Sequence, residues 1–557
     1  MEITERRTAM KYKPGNYQGT ARGAMGKLTV DVCFSEEKIV KVDVVKHRET
    51  RGVGFGMETC PIDTIPNLIA EHQSLAIPPV SGAERTSKAI LEAVAEAVIL
   101  AGGDAAALKN QPVPRPVPHA DEERTVDVVI LGAGAAGLGA AVEAARSGAR
   151  TLLVEKQGVI GGSASRIDVF LAAGTKWQKA QGIYDTPDML CRYLMEASKG
   201  AADPDKIRYF SDHAYENMLW LEQMGFQFGP VCPTHSSLLP WRGHPCAGGG
   251  ELVFSMAKEF QRLGGEIVYD TRLETLTREH DAVTGCICRR ADGAALRIRA
   301  GSTILATGGY AQNRQLLARF PIDGYFCNAP ASITGDGLEA AQAIGAKNIV
   351  PDSVQVVYTS LSCGVGVNEE SGLIVSAGGE RVTNEYAYQY VVSDALLRSG
   401  SPYGWYITSG DEPYQTVALG MSAGREPVAD SLEGLAALTN MDPAVLRRTV
   451  DRYNALAAAG CDADFGKPAQ YLFPVNGPKY AAIRLQPCVS VTYGGLDTDV
   501  AAHVLDPEGR VIPGLYAAGE TANAGLYGRQ YPGGGVSVNA CILFGRVAAR
   551  MATGQKL

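Results

Sequence analysis

The sequence predicts an α/β protein: a doubly wound parallel sheet that carries an inserted α+β capping unit and is preceded by a small β-rich unit. Three observations lead there. In "VDVVILGAGAAGLGAAVEAARSGARTLLVEK" a buried-type strand runs straight into a glycine-rich turn and a helix, the grammar of a doubly wound sheet. Two later strand-like runs, "STILATGG" at 302–309 and "IPGLYAAGE" at 512–520, also end in glycines. The first hundred residues have a different, alternating pattern and stop at a run of prolines.

Nearest the N-terminus, "GKLTVDVCFSEEKIVKVDVVK" alternates apolar and polar positions on both sides of a polar turn, so residues 15–46 read as a glycine-punctuated hairpin. "ERTSKAILEAVAEAVILA" at 84–101 has helical apolar spacing and ends at Gly102-Gly103, a C-terminal cap. The alternating prolines of "NQPVPRPVPHADEER" favour an extended, semi-rigid spacer. The expected division is therefore 1–108 for the N-terminal unit and 109–124 for the linker. Residues 125–349 form the first part of the sheet domain, 350–495 the cap, which includes the helical "DPAVLRRTVDRYNALAAAG", and 496–557 the second part.

Bulk properties remove several function classes. A chain of 557 residues exceeds one core and divides into several domains. A net charge of -8 gives no basic footprint for phosphate backbones, so no nucleic-acid partner is expected. No stretch approaches the length of uninterrupted apolar residues that spans a bilayer, and the start has no apolar signal-type region. No membrane partner and a cytoplasmic location are expected. The 12 cysteines are scattered, with only Cys286 and Cys288 close together. That spacing disfavours haem and iron–sulfur ligation, makes buried reduced thiols the default, and leaves no metal site expected.

The glycine-rich turn carries the first chemistry. Gly132 permits the tight turn, Gly134 lets backbone N–H groups approach a pyrophosphate, and Gly137 allows close helix packing. The helix N-terminus favours the phosphate charge. Glu155, 18 residues beyond the third glycine, ends the next strand and can accept from ribose hydroxyls.

Residues beyond Glu155 separate the dinucleotides. "EKQGVIGGSAS" adds the glycine pair Gly161-Gly162, and "LATGG" and "LYAAGE" recur downstream. Together these motifs, over residues 125–557, resemble the flavoprotein-subunit family of fumarate reductase, whose relatives include urocanate reductases and 3-ketosteroid dehydrogenases. The resemblance implies FAD on the sheet, near Gly162, Ser163, Thr307, Gly308 and Glu520. By the same resemblance the cofactor contacts extend to Ala136, Lys156, Val268, Asp336, Ser537 and Val538, and residues 350–495 correspond to a mobile cap.

Residues 15–103 resemble the FMN-binding domain that accompanies such reductases, through "GNYQGTARGAMG", "HRETRGVG" and "VSGAERTSKAI". In that family FMN is usually esterified to a threonine after Ser-Gly-Ala, and here the position is Glu84. A carboxylate is no acceptor for this phosphoester and repels phosphate. Non-covalent FMN held by Ser81, Gly82, Ala83 and Thr86 is the expectation.

The reaction is read from departures. Against the fumarate branch's H-G-x-N-R-x-G-G motif, "YGRQYPGGG" has Tyr527 at the histidine position and Tyr531 at the arginine position. "QVVYT" has Val357 where another family histidine stands, and "RVTNEYAYQYVV" has Gln389 near the proton-delivering arginine. The cationic clamp for a dicarboxylate is missing. "YPGGG" instead resembles the Y-P-G-A-G of 3-ketosteroid dehydrogenases, which implies that Tyr531 O–H and Gly535 N–H hold a carbonyl oxygen. Two preorganised donors suit an oxygen that becomes anionic when hydride reaches the β-carbon of an enone. The glycines are read as room for substrate and flavin. Tyr388 and Tyr390 are the candidates for proton exchange at the α-carbon, and "LPWRGHP" offers Arg242 and His244, either as loop structure or as an Arg-His pair. An appended FMN domain suggests an electron relay from an external donor, protein or small molecule, hence reduction. The expected substrate is a small apolar unsaturated ketone such as a 3-oxo-steroid; the alternatives are a 3-ketosteroid dehydrogenase, a fumarate-, urocanate- or acrylate-type reductase, and a flavin electron carrier without its own substrate.

Overall fold

The computed structural model describes residues 11–114, 117–232, 241–320, 322, 325–350, 354–359, 372–387, 389–410, 427–527 and 531–557. Near the N-terminus three strands, Gly15–Arg22, Lys27–Phe34 and Ile39–Lys46, form an antiparallel sheet. The expected hairpin thus gains a third strand, whose polar "GNYQGTAR" carries no apolar alternation. Helices Pro61–His72 and Glu84–Leu100 cover the sheet and enclose a core that includes Val30, Val32, Ile65, Ile90 and Val94. The second helix crosses at Gly19, where a Cβ would lie 1.9 Å from Ala93 O. It ends as its glycines require, with Gly102 at φ +81° and Gly103 N–H donating to Val98 O.

This unit is fastened to the rest of the chain. Gly158 N–H donates to Ser81 O at 3.0 Å, and Arg51 pairs with Glu251 at 3.0 Å while stacking 3.8 Å from the Phe254 ring centroid. Met57 and Cys60 are fully part of the next core.

The central sheet has eight strands. Val511–Ala517, Ala295–Leu305, Glu122–Leu131, Thr151–Val154 and Glu266–Val268 lie parallel in that order. His503–Leu505 is added antiparallel at one edge. Helices Ala135–Arg146 and Val536–Ala552 pack together closely, because at Gly545 a Cβ would stand 2.2 Å from Ala136 O.

A separate six-stranded sheet is organised about the long strand Tyr480–Thr492. It carries the helices Leu432–Thr439 and Pro443–Ala459; the latter is capped by Asp442, whose carboxylate accepts from Ala444 N–H, and by Gly460 at φ +62°. Beneath them Arg381 is bidentate to both Glu385 and Asp462, and Lys467 lies 3.4 Å from Glu385, all buried. Among the described residues no helix is long and apolar enough to cross a membrane.

Candidate active site

The residues expected to hold FAD converge on one edge of the central sheet. Gly132 follows strand Glu122–Leu131, Glu155 follows Thr151–Val154, Thr307 follows Ala295–Leu305, Glu520 follows Val511–Ala517, and Val268 ends its own strand. Carboxyl ends of parallel strands are where such sheets bind ligands. The glycines sort by what surrounds them. A Cβ at Gly132 (φ +105°) would strike Ala306 O at 2.4 Å, and one at Gly137 would strike Gly132 O at 1.8 Å, so both serve the close helix–strand approach. Gly134 meets nothing nearer than Gly161 O at 3.8 Å, and Gly162 meets nothing within 4 Å, which leaves their backbone open to a ligand.

Glu155 is turned partly inward. Its Oε2 accepts from Ala133 N–H and its Oε1 from Gln157 N–H, both at 2.8 Å, so it braces the glycine turn with lone pairs to spare. Burial raises its carboxyl above the ordinary range. Lys156 and Asp336 pair with each other at 3.0 Å and share Thr334. Thr307 meets Thr521, whose hydroxyl donates to Gly308 O. Ser163 lies in the short helical turn Gly162–Arg166, and Ala136 and Val538 are buried where the two helices begin. Glu520 Oε1 accepts from Thr492 N–H at 2.8 Å and Thr492 Oγ1 at 2.9 Å, tying the cap sheet to the central one; burial raises its carboxyl as well. An open cradle at Gly134 and Gly162, two helix N-termini and spare carboxylate lone pairs fit FAD.

The N-terminal candidate fits differently. Glu84, exposed, accepts from Gly82 N–H at 3.0 Å, and is the group a phosphate must displace there. Thr86, expected to face FMN, is instead 3% exposed and donates to the buried Glu49. Ala83 O accepts from Ser87, and Ser81 O from Gly158. A phosphoester at position 84 does not fit; a reversibly bound phosphate at Gly82 N–H and the start of helix Glu84–Leu100 does.

The tyrosine–glycine loop is the second focus. Tyr531 is half-buried and its Oη accepts from Ser537 N–H at 3.2 Å, at the N-terminus of helix Val536–Ala552. Its own O–H remains a donor, and burial holds the phenol above its usual pKa. The phenol takes its hydrogen bond from Ser537, two residues beyond Gly535, while Gly535 N–H meets no acceptor among the described residues and stays available as a donor. The room expected at Gly535 is occupied. Gly535 has φ +87°, and a Cβ would lie 2.6 Å from Phe170 C and 2.7 Å from Leu171 N, so strand Val169–Leu171 demands the glycine. Tyr388 lies outside the described residues. Tyr390 is in helix Gln389–Arg398.

Several supports have partners that the sequence does not mark. Tyr193 Oη donates to Pro532 O, holding the loop from below. Asn539 Nδ2 donates to Leu171 O and Ala214 O, and its Oδ1 accepts from Asn217, fixing the C-terminal helix. Arg242 is bidentate to buried Asp185 at 2.7 and 2.8 Å and is no free cation. His244 is fully buried, with Nε2 2.9 Å from Thr175 Oγ1. Such partners are far apart in sequence and belong to no motif.

Comparison with known proteins matches this organisation. Residues 127–538 match the FAD binding domain family and residues 23–99 the FMN-binding domain family. The chain is 30% identical to the urocanate reductase of Eggerthella lenta, over 96% of this chain and 91% of that protein. A solved flavocytochrome c3 fumarate reductase superposes with TM-score 0.66 at 27% identity, covering 77% of this chain and 78% of that one. The 3-ketosteroid-Δ4-(5α)-dehydrogenase from Rhodococcus jostii RHA1, solved with 4-androstene-3,17-dione, gives TM-score 0.66 at 27% identity, covering 79% and 99%. The chain therefore belongs to the FAD-binding flavoprotein family of oxidoreductases acting on C=C bonds, and carries an FMN-binding domain ahead of it.

Proposed function

We propose that this enzyme reduces a C=C bond conjugated to a ketone, with a 3-oxo-4-ene steroid or a similar bulky apolar enone as substrate. The observation that carries the reading is the Tyr531 phenol. Its oxygen already accepts a helix N–H, which polarises the O–H it offers. A neutral donor of that kind suits a carbonyl oxygen that gains negative charge in the transition state. A substrate carboxylate would instead call for cations, and Arg242 is locked by Asp185.

Bound FAD would supply hydride to the β-carbon, with FMN relaying electrons from an external donor. The chain's own part is to hold the oxygen and deliver a proton. Tyr531 donates to the carbonyl, Tyr388 or Tyr390 gives a proton to the α-carbon, and the C=C bond gains one hydride and one proton in all. Similarity to urocanate reductase across 96% of the chain favours a second reading, an α,β-unsaturated carboxylate.

An anaerobic assay with reduced viologen separates the two. The expected result is turnover of a 3-oxo-4-ene steroid and none of fumarate or urocanate. Tyr531→Phe is expected to lower kcat by about 10²–10³, or about 2.7–4 kcal/mol of barrier, with FAD content unchanged. Turnover of the acids alone, or an unaltered Tyr531→Phe rate, contradicts the reading.

A further inference from the structure

Tyr527 is 1% exposed, and its phenol oxygen has no hydrogen-bond partner among the described residues. Ser537 lies beside it at the limit of hydrogen-bonding geometry, and burial keeps the phenol protonated. Buried hydroxyls are normally paired, and one left alone is destabilising. The ring stands between two others, 5.6 Å from that of Tyr531 and 6.4 Å from that of Tyr493, edge-on to both. Tyr493 follows Thr492, which is held by Glu520. The orphan phenol therefore sits where the cap sheet meets the loop leading to the C-terminal helix, four residues before Tyr531. Nothing in the packing of Gly535 requires it to serve the substrate, since Phe170 and Leu171 account for that glycine.

We propose that Tyr527 O–H is the second donor to the substrate oxygen, forming with Tyr531 a two-phenol clamp. The proposal rests on the ketone reading above and narrows its ligand class. Two neutral O–H donors converge best on one oxygen, while a carboxylate spreads charge over two and prefers guanidinium forks. Three flat rings suit a planar or fused-ring body beside that oxygen. The ligands the clamp would take are thus cyclic enones, and phenols, whose oxygen mimics the enolate.

The test uses FAD-loaded, oxidised enzyme titrated with a series of para-substituted phenols, monitored by the perturbation of the flavin absorption band. Wild-type protein is expected to bind them more tightly as the phenol becomes more acidic. Tyr527→Phe removes one oxygen from the side chain. It is expected to bind phenols about 10- to 100-fold more weakly, the loss of a hydrogen bond to a charged oxygen, and to reduce the enone about 10²-fold more slowly, while keeping its FAD. If Tyr527→Phe matches wild type in both respects while Tyr531→Phe does not, the clamp is wrong and the ketone reading survives. If Tyr527→Phe loses FAD, its phenol serves the cofactor and the proposal is overturned. If neither variant alters enone reduction, the ketone reading falls with it.

Discussion

Gly535 shows how packing by itself can demand a glycine at a position that a motif offers as a donor. At φ +87° it lies in the left-handed region, and a Cβ would press within 2.6–2.7 Å of the Phe170–Leu171 backbone, which cannot yield as a flexible side chain would. Gly535→Ala is expected to destabilise the protein by about 2 kcal/mol or more, combining conformational strain with overpacking. Thermal denaturation of the two proteins checks this; an unchanged midpoint contradicts it. The motif was legible, since three successive glycines beside a tyrosine announce close approach. The identity of the approaching group was not, because strand Val169–Leu171 lies more than 350 residues away in sequence. Thr86 was misjudged for the same reason: its partner Glu49 comes from another part of the chain.

At the scale of elements, the short strand pair Val169–Leu171 and Gly243–Pro245 supports the loop, and His244 is its pH-sensitive member. Burial lowers this imidazole from 6.5 to about 4. Above pH 6.5 the ring is neutral whether the chain is folded or not. Between 6.5 and 4 the unfolded chain binds the proton first, so stability falls as pH falls, by up to about 3 kcal/mol, and stops falling below 4. His244→Gln is expected to flatten the dependence of the denaturation midpoint over that window, and an identical slope in both proteins contradicts the assignment. Elements with local signals were legible: Asp442 and Gly460 bracket a helix, and the glycine turn at 132–137 joins strand to helix. Val169–Leu171 was not, because three residues carry no periodicity; neither was the buried ion network of Arg381, Glu385, Asp462 and Lys467, whose members look like surface charges in sequence.

For the whole molecule the question is how two flavin-binding units are arranged. The N-terminal unit is held through Ser81, Arg51 and a shared core at Met57 and Cys60, so its SGA loop lies beside Gln157, two residues from Glu155. With Glu84 at the esterification position and Thr86 turned inward, acid precipitation of the purified protein is expected to release both FMN and FAD into the supernatant. Flavin fluorescence left on the denatured polypeptide contradicts this. The order of sheets and the cap insertion could be read from glycine-ended strands spaced along the chain; the docking contacts could not, being set by pairings such as that of Gly52 with Phe254, which no motif announces.

The central claim, that a phenol-lined site receives a ketone oxygen during C=C reduction, is tested most directly by a single turnover. Photoreduced holoenzyme is mixed without oxygen against a 3-oxo-4-ene steroid and, separately, against urocanate and fumarate, and the return of the oxidised flavin band is recorded. The account predicts rapid reoxidation by the enone, slowed about 10²–10³-fold in Tyr531→Phe, and none by the acids. Rapid reoxidation by urocanate or fumarate with an inert enone would contradict it.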